Sequence, residues 1–140
     1  MKKQILLLLL ASVTGACSFG QCDKKILLSA SSFENLNGSN EVQGKDDRAI
    51  TIVYDSKLIS FTPGDITLEG TVNSITCDWK IPFKEGKTVI KATITRTDGS
   101  TVNTTMTIEG KGGKNSLIAE FEESINQKMR ITLEKFEESK

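Results

Sequence analysis

From Ile26 to Leu133, outside one polar stretch, apolar and polar residues alternate with a period of two almost throughout. Ile50, Ile52 and Tyr54 fall on one face of a segment whose other face carries Thr51 and Val53. The same alternation recurs in Ile59 and Phe61, in Ile66, Leu68 and Val72, and in Ile90, Ala92 and Ile94. It continues in Val102, Thr104, Met106 and Ile108, in Leu117, Ala119 and Phe121, and in Met129, Ile131 and Leu133. With Ile26–Ala30 as a first strand, this is the pattern of about eight antiparallel strands, each with one buried face. A helix over 117–138, where Glu and Lys are plentiful, fits the period less well. The polar stretch Ser32–Asp47 has no clear period and is expected to be irregular.

Turn positions refine this picture, because pairing must bring apolar residues opposite apolar ones. A two-residue Asp55-Ser56 turn sets Ile52 against Ile59 and Ile50 against Phe61. A Pro63-Gly64 turn sets Phe61 against Ile66 and Ile59 against Leu68. At Asp98-Gly99 a two-residue loop would mix the faces. A three-residue loop, 97–99, sets Ile94 against Val102 and Ile90 against Met106, with Gly99 at the left-handed position such loops require. In the last hairpin, Phe121 opposite Met129 would bring Glu120 to Arg130 and Glu122 to Lys128. The apolar set Ile75, Cys77 and Trp79 is out of phase with Val72, so a β-bulge is expected near Asn73-Ser74.

Consecutive hairpins of this kind predict an all-β, up-and-down meander, either a small closed barrel or a flattened β-sandwich. In strand count and connectivity it resembles a lipocalin-type barrel. That resemblance implies a small apolar ligand in the interior, but no lipocalin motif stands near the first strand.

The N-terminus reads differently. Lys2 and Lys3, an apolar run from Ile5 to Ala11 and small residues after it form a secretory signal peptide. The run is too short for a bilayer, which takes about 20 residues. Cleavage after Ser18-Phe19-Gly20 would give a signal peptide of residues 1–20 and one domain over 21–140. The competing route is lipidation of Cys17 in Thr14-Gly15-Ala16-Cys17, which would tether the protein at the cell envelope. Either way the chain is expected to be exported, to the periplasm, the outside or the envelope surface. Cys22 and Cys77 then remain, an even number in an oxidising compartment, and a disulfide between them is expected.

Charge and composition narrow the chemistry. The chain has 18 basic and 18 acidic residues, and loss of Lys2 and Lys3 leaves 16 against 18. A basic footprint for nucleic acid is absent. There is no histidine, which excludes His-dependent nucleophilic machinery, His-ligated zinc and an imidazole switch. Asn35–Glu41 has oxygen side chains at alternate positions but amides where a calcium loop needs carboxylates, so it reads as a turn. Asp46, Asp47, Asp65, Asp78 and Asp98 leave a carboxylate glycosidase as a low-ranked alternative. Asp65 and Asp98 are turn residues, and no catalytic residue, metal or cofactor is expected.

Trp79 and Phe83, flanking Pro82, are weak candidates for ligand binding; filling one end of the core is the simpler role for them. Thr93, Thr95, Thr101, Asn103, Thr105 and Thr107 read as a solvent face, and Asn37 and Asn103 head short glycosylation patterns. The expected function is a non-catalytic β-module that binds through loops or an edge strand. The alternative is a carrier for a small apolar ligand. The partner, protein or small apolar ligand, is unspecified.

Overall fold

The computed structural model describes residues 22–124 and 126–139. The signal peptide and its cleavage site, with Cys17 and Gln21, lie outside these residues. The described chain contains no helix. It forms β1 (Ile26–Ala30), β2 (Phe33–Leu36), β3 (Val42–Asp46), β4 (Ile50–Tyr54), β5 (Leu58–Pro63) and β6 (Leu68–Ile81). β7 (Glu85–Thr95), β8 (Thr101–Lys111), β9 (Lys114–Phe121), β10 (Lys128–Thr132) and β11 (Lys135–Glu138) follow. All pair antiparallel in a single sheet of order β11-β1-β4-β5-β6-β7-β8-β9-β10-β2-β3.

From β4 to β10 every strand pairs with its successor, the expected meander. The expected closed barrel is not formed, because β11 and β3 are left as the two edges of the sheet. The physical reason lies in two corners. Ser31-Ser32 carries the chain from β1 to β2, and Leu133-Glu134 carries it from β10 to β11. These pairs of strands sit near opposite ends of the sheet order, so the corners curl the sheet without pairing its edges, β11 and β3. One register runs through both corners: from Ser29 opposite Lys135 to Glu34 opposite Arg130, each chain advances by five residues. At the corner the Glu134 amide donates to the Ser29 carbonyl at 2.8 Å, and the Ser31 hydroxyl donates to the Glu134 carboxylate at 2.6 Å. Curling brings the inward faces together over one core that includes Ile26, Leu28, Ile52, Ile90, Met106, Ile108, Leu117 and Ile131, all buried.

The three additional strands arise where the period is hidden. In the stretch expected to be irregular, Phe33 and Leu36 are both buried, three residues apart, and the pairing of β2 with β3 slips between Asn35 and Leu36. The extra residue, Gln43, lies on β3, and Phe33 and Leu36, three apart on β2, do not fit a period of two. Asn37 then closes the turn, its side-chain oxygen accepting from the amides of Ser39 and Glu41 at 2.9 Å each. β11 lies in the Glu- and Lys-rich tail, where Phe136 is the lone large apolar residue.

Three expected hairpin registers are displaced by two residues. Ile52 faces Phe61 and Tyr54 faces Ile59; Phe61 faces Leu68 and Ile59 faces Gly70; Ala119 faces Met129 and Leu117 faces Ile131. In the first case Asp55 decides the turn. Its carboxylate accepts from the Lys57 and Leu58 amides at 2.8 Å, which moves the turn to Ser56-Lys57. In the last hairpin Glu120 therefore meets Lys128 (3.4 Å), while Arg130 pairs with Glu34 at 2.9 Å instead of Glu120.

Two local expectations hold in full. The β6–β7 register shifts between Val72 and Ser74, the expected bulge, and again between Trp79 and Ile81. The 97–99 loop sets Ile94 opposite Val102 and Ile90 opposite Met106, with Gly99 at φ 87°. A Cβ at Gly99 would meet nothing within 4 Å, so Gly99→Ala isolates the backbone cost. It is expected to destabilise by about 1–2 kcal/mol in urea unfolding. A change within about 0.3 kcal/mol would contradict a left-handed Gly99.

Candidate functional site

The two ends of the curled sheet differ. At the end where β6 finishes, Trp79 is buried and its indole meets the ring of Phe136 edge-on at 5.3 Å. Phe83 packs edge-on against the same ring at 4.8 Å. The indole N–H donates to the Thr88 hydroxyl at 2.7 Å, and that hydroxyl donates to the Cys77 sulfur at 3.5 Å. Cys77 is disulfide-bonded to Cys22, with Cα atoms 6.0 Å apart. The Asn115 side chain donates to the Phe83 carbonyl at 2.9 Å. The structure thus brings the two weak ligand candidates, Trp79 and Phe83, together through Phe136, in a cluster that fills this end of the core. Trp79 spends its single polar atom on Thr88.

At the other end the core stops short. Residues of β5 to β9, with Arg96, Ser124 and Gln127, line a hollow of about 230 Å³. Its walls are Phe61, Leu68, Ile94, Val102, Met106 and Phe121, and Arg96, Ser124 and Gln127 stand among its lining residues. Arg96 follows Ile90, Ala92 and Ile94 in the inward phase of β7, and Glu123 follows Leu117, Ala119 and Phe121 in that of β9. The two inward-phase positions just beyond the apolar series therefore carry opposite charges. They meet as an ion pair, Arg96 Nη2 to Glu123 Oε2, at 3.0 Å. Asp98 is nearby, and its carboxyl is held below the usual range mainly by the hydrogen bond from the Ser100 hydroxyl.

Thr104 occupies the inward position between Val102 and Met106 on β8. It is 3% exposed, and its hydroxyl has no hydrogen-bond partner. A buried hydroxyl without a partner pays for its lost hydration. Thr104→Val, which keeps the shape, is expected to leave stability unchanged or raise it by up to about 1 kcal/mol. A loss larger than that in urea unfolding would mean that the hydroxyl has a partner.

A wider furrow, about 730 Å³, lies over the outer sheet face. Much of its polar lining is committed internally. Asn73 donates to Thr93 at 2.9 Å, Thr93 to Asn103 at 3.0 Å and Asn103 to Glu122 at 2.7 Å, a chain of bonds across β6, β7 and β8 to the residue after β9. Lys128 holds Glu120 and donates to Asn40 at 3.1 Å. On this Thr-rich face, Thr93 and Asn103 are thus engaged with their neighbours. Of the other carboxylates singled out in the sequence, Asp46 is gripped by Arg48 (2.7 Å), which keeps its carboxyl below the usual range. The Arg48 guanidinium also lies over the Phe33 ring, 5.8 Å from its centre.

The residues that sequence reasoning missed are Arg96 and Glu123. The signal was present, because each is a charge placed in an inward phase. No protein-family model, no curated protein and no solved structure matches the chain.

Proposed function

We propose that this is an exported, non-catalytic β-module that binds a partner through the loops at its open end, taking one apolar group into the hollow. The observation that carries this reading is the asymmetry of the core, filled by Trp79, Phe83 and Phe136 at one end and unfilled beside Phe61, Ile94 and Phe121 at the other. Size favours a single group over a whole ligand. Sites for drug-sized molecules run from about 300 to 1,000 Å³, whereas a dry apolar cavity of about 150 Å³ already accepts benzene. A hollow of about 230 Å³ therefore suits one ring, one large side chain or a short tail. This ranks the loop-binding module above a carrier of the lipocalin type.

Export is supported by the signal-like N-terminus and by the Cys22–Cys77 pair at disulfide distance. No described helix is long and apolar enough to cross a membrane. The edge strands offer a weaker surface, since β3 and β11 are short and carry Lys45, Asp46, Lys135 and Glu138, the usual protection of a free edge.

Methyl-resolved NMR with benzene as probe tests the reading. Saturable shifts are expected at Leu68, Ile94, Val102 and Met106, with none at Leu28 or Ile131. Shifts absent, or spread evenly over the core, would remove the open end as the site. Turnover of a hydrolase substrate panel, lost on changing a specific Asp or Glu, would overturn the non-catalytic reading.

A further inference from the structure

We propose that the hollow selects a small amphipathic carboxylate, its apolar body lying between Phe61, Ile94, Val102 and Phe121 and its carboxylate on Arg96. This rests on the open end being the binding site and adds the chemistry of what enters. Three observations support it.

First, among the described residues lining the hollow, Arg96 is the one charged side chain. It is half-buried, at the inward position directly above Ile94, so a group seated on the apolar walls has the guanidinium at its outer end. Second, Arg96 has a single ion-pair partner, Glu123 at 3.0 Å, whose side chain is 55% exposed. A guanidinium carries five donors in a planar fork and is satisfied by more than one carboxylate. It is also weakly hydrated for a cation and does not lose its charge, so it tolerates a partly dry mouth better than an ammonium would. Third, the neighbouring acids are already engaged: Glu122 accepts from Asn103 at 2.7 Å, and Asp98 accepts from Ser100 at 2.6 Å. Neither forms an ion pair with Arg96, although the charge of Asp98 does act on it. The internal Arg96–Glu123 pair thus acts as a stand-in that an entering carboxylate displaces or shares.

The test uses three six-carbon probes on the disulfide-bonded, exported protein: hexanoate, hexan-1-ol and hexylamine. Hexanoate is expected to bind about tenfold more tightly than hexanol, as a charge-assisted contact gives. Arg96→Gln should remove that tenfold and leave hexanol unchanged, while Arg96→Lys keeps part of it. Glu123→Gln should tighten hexanoate, because the competing carboxylate is gone. Circular dichroism and the unfolding midpoint of each variant confirm that the fold is intact. If hexanol and hexanoate bind equally and Arg96→Gln changes neither, the carboxylate preference is wrong while the open-end site stands. If hexylamine binds best and Glu123→Gln abolishes this, the site selects cations and the proposal is overturned. If none of the three binds, the open-end site fails as well.

Discussion

Replacing Cys22 and Cys77 together by alanine is expected to cost roughly 2–5 kcal/mol of stability, as native disulfides do in small secreted domains. The two cysteines are 55 residues apart in sequence, and the chain-entropy model gives about 4 kcal/mol for closing such a loop in the unfolded chain. The folded structure adds a second reason. Pairing between β5 and β6 ends at Leu58 opposite Thr71, yet β6 runs on to Ile81. Among the described residues, Ser74–Ile81 pairs with β7 alone. Cys22, with its Cα 6.0 Å from that of Cys77, stands against this unpaired flank at close to the separation of neighbouring strands. The disulfide therefore fixes the start of β1, which would otherwise fray, and blocks a free strand edge. Urea unfolding of the double variant reads the cost. Thiol titration of the unfolded, unreduced protein should find both thiols blocked. Two free thiols per chain, or a double variant within 1 kcal/mol of the parent, would refute the bond or its weight.

What the sequence disclosed depends on the size of the error a pattern can detect. A slip of one residue turns a strand's apolar set outward, so the 97–99 loop was decidable: the two-residue alternative mixed faces. A slip of two residues preserves every face. Alternation was therefore silent at the turns near Asp55, Pro63 and Ser124, and local hydrogen bonds such as those of Asp55 chose the register. Most inward residues were legible even where their partners were not; Ile66, expected inward at the start of a strand, instead lies in the turn before β6 and is half exposed. The β2–β3 hairpin escaped because Phe33 and Leu36 stand three apart and β3 offers only the exposed Val42, and β11 because Phe136 stands alone among Glu and Lys. At the candidate site, Arg96 and Glu123 were visible as charges in an inward phase. The hollow was not, since it depends on how side chains from β5, β6, β7, β8 and β9 fill one volume.

Trp79→Ala is expected to cost about 3–5 kcal/mol, the range for deleting a large buried aromatic. The indole lies across two neighbouring positions without side chains, Gly86 on β7 and Gly110 on β8. A Cβ at Gly110 would lie 2.6 Å from Trp79 Cζ3, and one at Gly86 would lie 2.7 Å from Trp79 Cδ2. Collapse into the space left by alanine is opposed by the Phe136 ring and by the strand backbones of β7 and β8, so most of the cavity persists. Thr88 would also lose the donor that meets its buried hydroxyl. The two glycines separate packing from backbone strain. Gly110→Ala should destabilise by about 1–3 kcal/mol as an overpacked site does. In a Trp79→Phe background, which removes the outer ring, part of that cost should vanish. It does not vanish entirely, because the Lys84 carbonyl also lies 2.9 Å from the added Cβ. Gly86→Ala should cost nearly the same in both backgrounds. Its φ is 154°, and the added Cβ runs into the backbone of Asp78 and Trp79, which the ring change leaves in place. A double-mutant cycle in urea thus expects coupling of about 0.5–3 kcal/mol for Trp79 with Gly110 and near zero for Trp79 with Gly86. Strict additivity at Gly110 would show that the indole does not rest on that glycine.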